Sequence, residues 1–216
     1  MAPRKPLALP VRQERSRQTR DRLLDAAEAV LARDGLEGAT VPAIAEEAGV
    51  AVGSVYRRFP DKDALFRGVY ERFFTRGAET NRGGLTSEAF RGKSAAAVIA
   101  ELVEGMVRGY RESRPLMRAL LFYEHTHADP AFRRHAAQLR AEAFRMIGDL
   151  LVERARELGH PRPREAVAFA LTVVRHTLQG LALQDERGGA LEDQRLVKEL
   201  TRMVTAYLGV RAPPAP

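Results

Sequence analysis

Residues 52–58, VGSVYRR, bring together side chains able to read a DNA duplex. Arg57 and Arg58 each carry a planar fork of donors that can bridge guanine O6 and N7. The Ser54 hydroxyl can serve a base edge or a phosphate, and Val52 can meet a thymine methyl group. Tyr56 lies on the same segment. Gly53 removes a side chain where a helix must come close to another backbone. Val55 and Phe59, four residues apart, read as the inward face. Another cluster, Glu124-His125-Thr126-His127-Ala128-Asp129, has the residue types of a metal site. On a helix, however, residues two apart point to nearly opposite faces, so His125 and His127 could share an ion only in extended chain. The cluster is expected to be a helix junction, with a helical metal-binding sensor as the alternative. No Gly-rich phosphate loop, strand-to-helix serine elbow or H-E-x-x-H run is present, so no enzyme, cofactor or metal is expected.

The reading segment needs elements to hold it. Thr40 is a good N-cap for a helix in which Pro42 falls within the first turn, and Gly49 makes the turn that ends it. A third helix then covers about 51–59, Pro60 stops it, and Asp61 caps a fourth carrying Leu65, Phe66, Val69, Tyr70 and Phe73 inward. A short helix, a glycine turn and a second short helix make a helix-turn-helix at about 40–59. The helix before it runs from about Ser16 to Asp34, with Gly35 at its C-terminal end. Helical periods continue to the C-terminus and no run of period-two alternation interrupts them, so the fold is expected to be all-α.

The expected organisation is a basic flexible arm at 1–15, a DNA-binding domain at 16–66, a connecting helix at 67–80 and a linker at 81–94. A helical ligand-binding and dimerisation domain follows at 95–210, then a disordered tail at 211–216. In the helical domain one helix should end near Glu112 and another begin at Pro115. Asp129-Pro130 opens the next, to about Leu158. The stretch 166–184 is apolar nearly all round and must be covered on two sides. The last helix, about 192–208, carries a broad apolar stripe, and together these two fit a four-helix interface between two copies. Leu171, Val174, Leu178, Leu181, Leu196, Leu200, Met203, Val204 and Tyr207 are the expected interface residues. An effector pocket is expected among Met106, Tyr110, Met117, Phe122, Phe144, Phe169 and His176, mostly apolar with a few polar groups.

Composition narrows the setting. The chain has 216 residues, no cysteine and a formal charge of +7; the lack of cysteine rules out disulfides and suits a reducing cytoplasm. Residues 1–22 hold seven basic side chains (Arg4, Lys5, Arg12, Arg15, Arg17, Arg20, Arg22) against Glu14 and Asp21. Such an arm beside a DNA reader can attract phosphates or enter the minor groove, and Arg17 is expected to touch DNA. No apolar run is expected to reach the roughly 18–20 residues needed to span a membrane, and no signal peptide is expected, so the location is expected to be cytoplasmic.

The run Leu23-Leu24-Asp25-Ala26-Ala27, then Gly35, Thr40-Val41, Ile44-Ala45, Ala48-Gly49-Val50, Gly53, Val55-Tyr56, Phe59 and Lys62-Asp63-Ala64-Leu65 resembles the N-terminal domain of TetR-type transcriptional regulators. The resemblance implies a homodimer on a palindromic operator, usually a repressor released when a small-molecule effector enters the C-terminal domain. An activator or corepressor-dependent regulator of the same fold is the alternative. It further implies phosphate contacts from Thr40 and Lys62 and a backbone contact from Tyr56, and Val41 is also expected to contact DNA. Ala51 departs from the family, which often has Ser or Thr there. Alanine cannot cap, at a cost of roughly 0.5–2 kcal/mol.

Overall fold

The computed structural model describes residues 9–184 and 192–210, with the side chains of 9–13, 15 and 143 left out. Its elements are the helices α1 (Leu9–Gly38), α2 (Val41–Glu47), α3 (Val52–Tyr56), α4 (Lys62–Gly84), α5 (Ala95–Thr126), α6 (Pro130–Val152), α7 (Pro163–Leu183) and α8 (Asp193–Tyr207), with a 3-10 turn at Ala155–Glu157. Among the described residues there is no strand. The chain divides into two compact units, Met1–Tyr70 and Glu71–Pro216. The boundary falls inside α4, so the connecting helix and the expected linker are not separate pieces as far as Gly84.

Unit 1 is built on α1. Leu23, Leu24, Ala27, Val30 and Leu31 recur every three or four residues and are buried, as the helical period requires. Ile44 of α2, Val55 of α3, and Leu65, Val69 and Tyr70 of α4 are buried in the same unit. The chain kinks at Gly35 (φ 70°, ψ −171°), a conformation open to glycine without strain. α1 begins at Leu9 rather than near Ser16, which corrects the expected extent of the flexible arm. Pro10 falls in the first turn, where proline is tolerated, and Gln13, Glu14 and Arg15 are good helix formers. Residues 1–8 of that arm lie outside the described residues.

Unit 2 packs α5 against α6, α7 and α8. Val98, Ile99, Leu102, Val103 and Val107 of α5 meet Leu150 and Leu151 of α6, Val167 and Leu171 of α7, and Leu196 and Leu200 of α8 in one core. Ser94 caps α5, accepting from Ala97 N at 3.3 Å, and Asp129 caps α6, accepting from Ala131 N at 2.8 Å. The expected break before Pro115 is absent: α5 runs through it. Proline inside a helix costs ~3 kcal/mol or more, and burial on both sides of it, at Tyr110, Leu116, Ala119 and Leu120, offsets that cost. The 81–94 segment is also more ordered than a linker, since α4 extends to Gly84 and Phe90 is buried in the core. Gly188-Gly189 and the tail 211–216 lie outside the described residues.

Against the expectation that no segment could span a membrane, α7 is long and apolar enough to do so by length and composition. Its inward face, Val167, Ala170, Leu171, Val174 and Leu178, is nevertheless buried in the unit 2 core.

Candidate nucleic-acid interface

The reader is assembled from short-range capping. Thr40 Oγ1 accepts from Ala43 N at 3.3 Å and starts α2. α2 ends when Gly49 takes φ 63°, with Gly49 N donating to the Glu46 carbonyl and Val50 N to the Ala45 carbonyl, both at 2.9 Å. This pairing closes a helix on a left-handed glycine. α3 starts at Ala51, which makes no side-chain cap hydrogen bond, as its methyl group dictates. Asp61 Oδ1 then accepts from Ala64 N at 2.7 Å and opens α4.

α3 presents two faces. Val55 is buried, and so is Phe59 just beyond the helix. Outward stand Val52, Gly53 and Arg57, all exposed, with Ser54 half-buried and Tyr56 52% exposed. Arg57 Nη2 donates to Ser54 Oγ at 2.6 Å, so this guanidinium is held over the helix that carries it. A Cβ built on Gly53 would find only Arg57 Nη1, at 4.0 Å, leaving its outer side open. Arg58 differs from Arg57: it is half-buried and its Nε lies 3.4 Å from the Ser16 carbonyl of α1. Arg57 is therefore the better placed of the two for a base edge.

The flanks supply further donors. Thr40 is exposed and its hydroxyl oxygen already accepts from Ala43 N, which leaves the O–H proton for an acceptor such as phosphate. Lys62 lies with Nζ 5.0 Å from the Phe66 ring centroid, and Arg17 is exposed on α1. Val41 is the exception among the expected contacts. It is only 6% exposed, because the first turn of α2 faces the core at that position, so its side chain belongs to packing. Two other basic residues of the 1–22 stretch, both exposed, make contacts within unit 1: Arg20 has its guanidinium carbon 5.6 Å from the Phe59 ring centroid, and Arg22 Nη2 donates to the Ala48 carbonyl at 2.6 Å. Arg33 also ties α1 to α2, donating to Glu47 at 2.8 Å. Its hydrogen bonds to Asp34 and then Glu47 push its guanidinium pKa still higher.

In unit 2 the expected effector residues divide. Tyr110 is buried, which pushes its phenol pKa up, and Met106, Met117 and Phe144 pack against the core. Phe122, Phe169 and His176 are exposed and do not line an interior pocket. Phe169 and His176 are two helical turns apart, which places them on the outer stripe of α7. A surface depression of about 570 Å³ lies elsewhere, lined by Gly92, Lys93, Ser94, Glu153, Arg154 and Glu157. Among the described residues no group of three or more His, Cys, Asp or Glu could hold a metal ion; His127 Nδ1 instead accepts from Asp129 N at 3.0 Å in the α5–α6 junction.

The expected interface residues divide in the same way. Leu171, Val174, Leu178, Leu196, Leu200 and Val204 are buried within one subunit, so their side chains are turned into its core, while Leu181 is half-buried against that core. The periodicity was common to both faces and could not separate them. Met203 and Tyr207 do face outward, and Tyr207 meets Phe169 and His160 with ring centroids 5.4 Å apart in each pair.

Residues 23–69 match the family model described as bacterial regulatory proteins, tetR family, and residues 94–208 match the tetracyclin repressor-like C-terminal domain. The chain is 42% identical over 73 residues to the HTH-type transcriptional repressor KstR of Mycolicibacterium smegmatis, covering 33% of this chain and 36% of that one. It is 29% identical over 184 residues to the HTH-type transcriptional regulator BetI of Burkholderia mallei, covering 84% and 88%. Among solved structures, a TetR-family regulator from Mesorhizobium loti superposes with a TM-score of 0.72 at 18% identity, covering 91% of this chain and 98% of that one. The fatty acid degradation regulator FadR from Bacillus halodurans gives 0.65 at 19% identity, covering 88% and 99%.

Proposed function

This chain belongs to the tetR family of bacterial regulatory proteins and is a DNA-binding transcriptional regulator, and from that premise we propose that it acts as a homodimeric repressor released from its operator by a small molecule. The exposed face of α3, with Ser54, Tyr56 and Arg57 outward while Val55 is buried, carries the proposal. α3 enters the major groove. Arg57 reads guanine, while Tyr56, Thr40, Lys62 and Arg17 hold the flanking phosphates. The family's two-copy habit is supported by the outward Phe169, Met203 and Tyr207 of α7 and α8, and two copies read a palindrome.

Release requires an effector that binds one conformer better than the other, since only differential affinity moves such an equilibrium. Met106, Met117 and Phe144, half-buried against the unit 2 core, are the side chains proposed to adapt to it, methionine being the most compliant of core residues. The regulator works in the bacterial cytoplasm.

The test is selection of a duplex from a random library by the purified protein, followed by gel shift of Tyr56→Ala. The variant is expected to lose binding while remaining dimeric by light scattering. Selection of no duplex, or unchanged binding by the variant, removes α3 as the reader.

A further inference from the structure

Arg22 lies outside the DNA-facing set, on a basic stretch that the sequence associates with phosphate attraction. Its guanidinium nevertheless spans from α1 to the helix-turn-helix, where Nη2 donates to the Ala48 carbonyl at 2.6 Å across 26 residues of sequence. Ala48 is the C-cap of α2, so the bond places a full positive charge at the carbonyl end of that helix, where it is favourable. A Cβ built on Gly49 would lie 3.7 Å from the same Nη2, so the guanidinium sits directly beside the turn.

That turn is asymmetrically held. On the α2 side, Gly49 N and Val50 N are both bonded back into the helix. On the α3 side, Ala51 offers no side-chain cap, and the first turn has the bond from Ser54 N to the Ala51 carbonyl at 2.7 Å. A serine or threonine at position 51 would satisfy a further first-turn donor and fix the helix entry. We infer that Arg22 is a positioning residue for the reader: its bond to the Ala48 carbonyl holds the 48–51 turn, and through it α3, in place of the cap that Ala51 lacks. The inference rests on α3 being the DNA reader. α1 supports the far end of α3 as well, through Ser16 with Arg58 and through Arg20 over the Phe59 ring.

The experiment compares wild type with Arg22→Met, which keeps length but no donor, and Arg22→Lys, which keeps charge and donors. Two readouts are taken: amide hydrogen exchange of the free protein, and binding across a salt series to the duplex selected by wild type. In Arg22→Met the amides of residues 50–54 exchange faster while those of α1 do not. Affinity falls about tenfold, as expected for loss of one charge-assisted hydrogen bond. The slope of log K against log salt stays unchanged, whereas removing a phosphate contact reduces it by about 0.9. Arg22→Lys restores most of the affinity, and Ala51→Ser recovers more affinity in the Arg22→Met background than in wild type.

Unchanged exchange at 50–54 overturns the inference. So does uniformly faster exchange throughout unit 1, which marks general destabilisation, and so does a salt slope lowered by one contact, which makes Arg22 a phosphate ligand. If wild type selects no duplex, the DNA reading itself fails, and the exchange comparison still decides whether Arg22 holds the turn.

Discussion

Replacing Phe169 by alanine should separate the two copies of the proposed homodimer without unfolding either. Phe169 is 56% exposed in the single subunit and lies in tilted ring contact with Tyr207, itself 41% exposed. An aromatic side chain can bury roughly 150–250 Å², so covering the exposed part of this one removes about 100 Å² per subunit from water. At ~25 cal/mol per Å² that is about 2.5 kcal/mol, and a two-fold interface repeats it to about 5 kcal/mol per dimer. Alanine retains a little of the area and relaxation recovers some more, so ~3–4 kcal/mol, or a dimer dissociation constant raised several-hundredfold, is the expected loss. Sedimentation equilibrium over a concentration series measures it directly. The matched control is Leu171→Ala: Leu171 is buried in the core of the same helix, so truncation should lower unfolding free energy by about 2–5 kcal/mol and leave the dimer constant nearly unchanged per folded subunit. A Phe169→Ala dimer as tight as wild type, or one whose only defect is a lower melting temperature, would refute the assignment of this face.

The remaining predictions concern single positions. Gly49→Ala places an L-residue at φ 63° and should destabilise unit 1 by ~1–2 kcal/mol in urea unfolding; no measurable change would mean that the turn relaxes to negative φ. Gly53→Ala should leave folding intact, since only Arg57 lies near the new methyl, yet weaken binding to the selected duplex. Equal affinity would show that DNA does not approach α3 there. Glu124 is buried and pairs with Arg140 between α5 and α6. Glu124→Gln removes the carboxylate charge that faces Arg140 and should cost about 3–5 kcal/mol in unfolding experiments, whereas a loss below ~1 kcal/mol would mean that the pair is effectively solvated.

The reader was legible because its signals are local. Thr40, Pro42, Gly49 and Pro60 punctuate the chain within a few residues of what they cap or stop, and each acts through its own backbone. Ala51 was legible for the same reason, as a cap that cannot form. What the sequence did not disclose depends on partners far along the chain. Arg22 meets Ala48 across 26 residues, and nothing in RDRLLD distinguishes it from a phosphate-seeking arginine. Pro115 reads as a helix start by local rule, and tertiary burial on either side overrides that rule. Val41 follows the family's reader motif, yet the first turn of α2 faces inward at that residue.

The C-terminal helices show a different limit, because there periodicity was present twice. α7 carries one stripe at Val167, Leu171, Val174 and Leu178 and another at Phe169, Val173, His176 and Leu183, each advancing by three, four or seven residues. A helix with both stripes is apolar all round, and hydrophobicity alone assigns neither to core or surface. The fold of one subunit buries the first stripe and leaves Phe169, His176 and Leu183 of the second exposed, with Met203 and Tyr207 of α8 also outward. Large apolar groups that continue from one helix to the next form a patch that water does not favour. In the proposed homodimer a second copy would meet that need with the same surface, since a two-fold axis pairs each stripe with its own image. The expectation of a paired interface therefore moves from the leucines of the inner stripe to the aromatic residues of the outer one, and Phe169→Ala set against Leu171→Ala is the comparison that separates them.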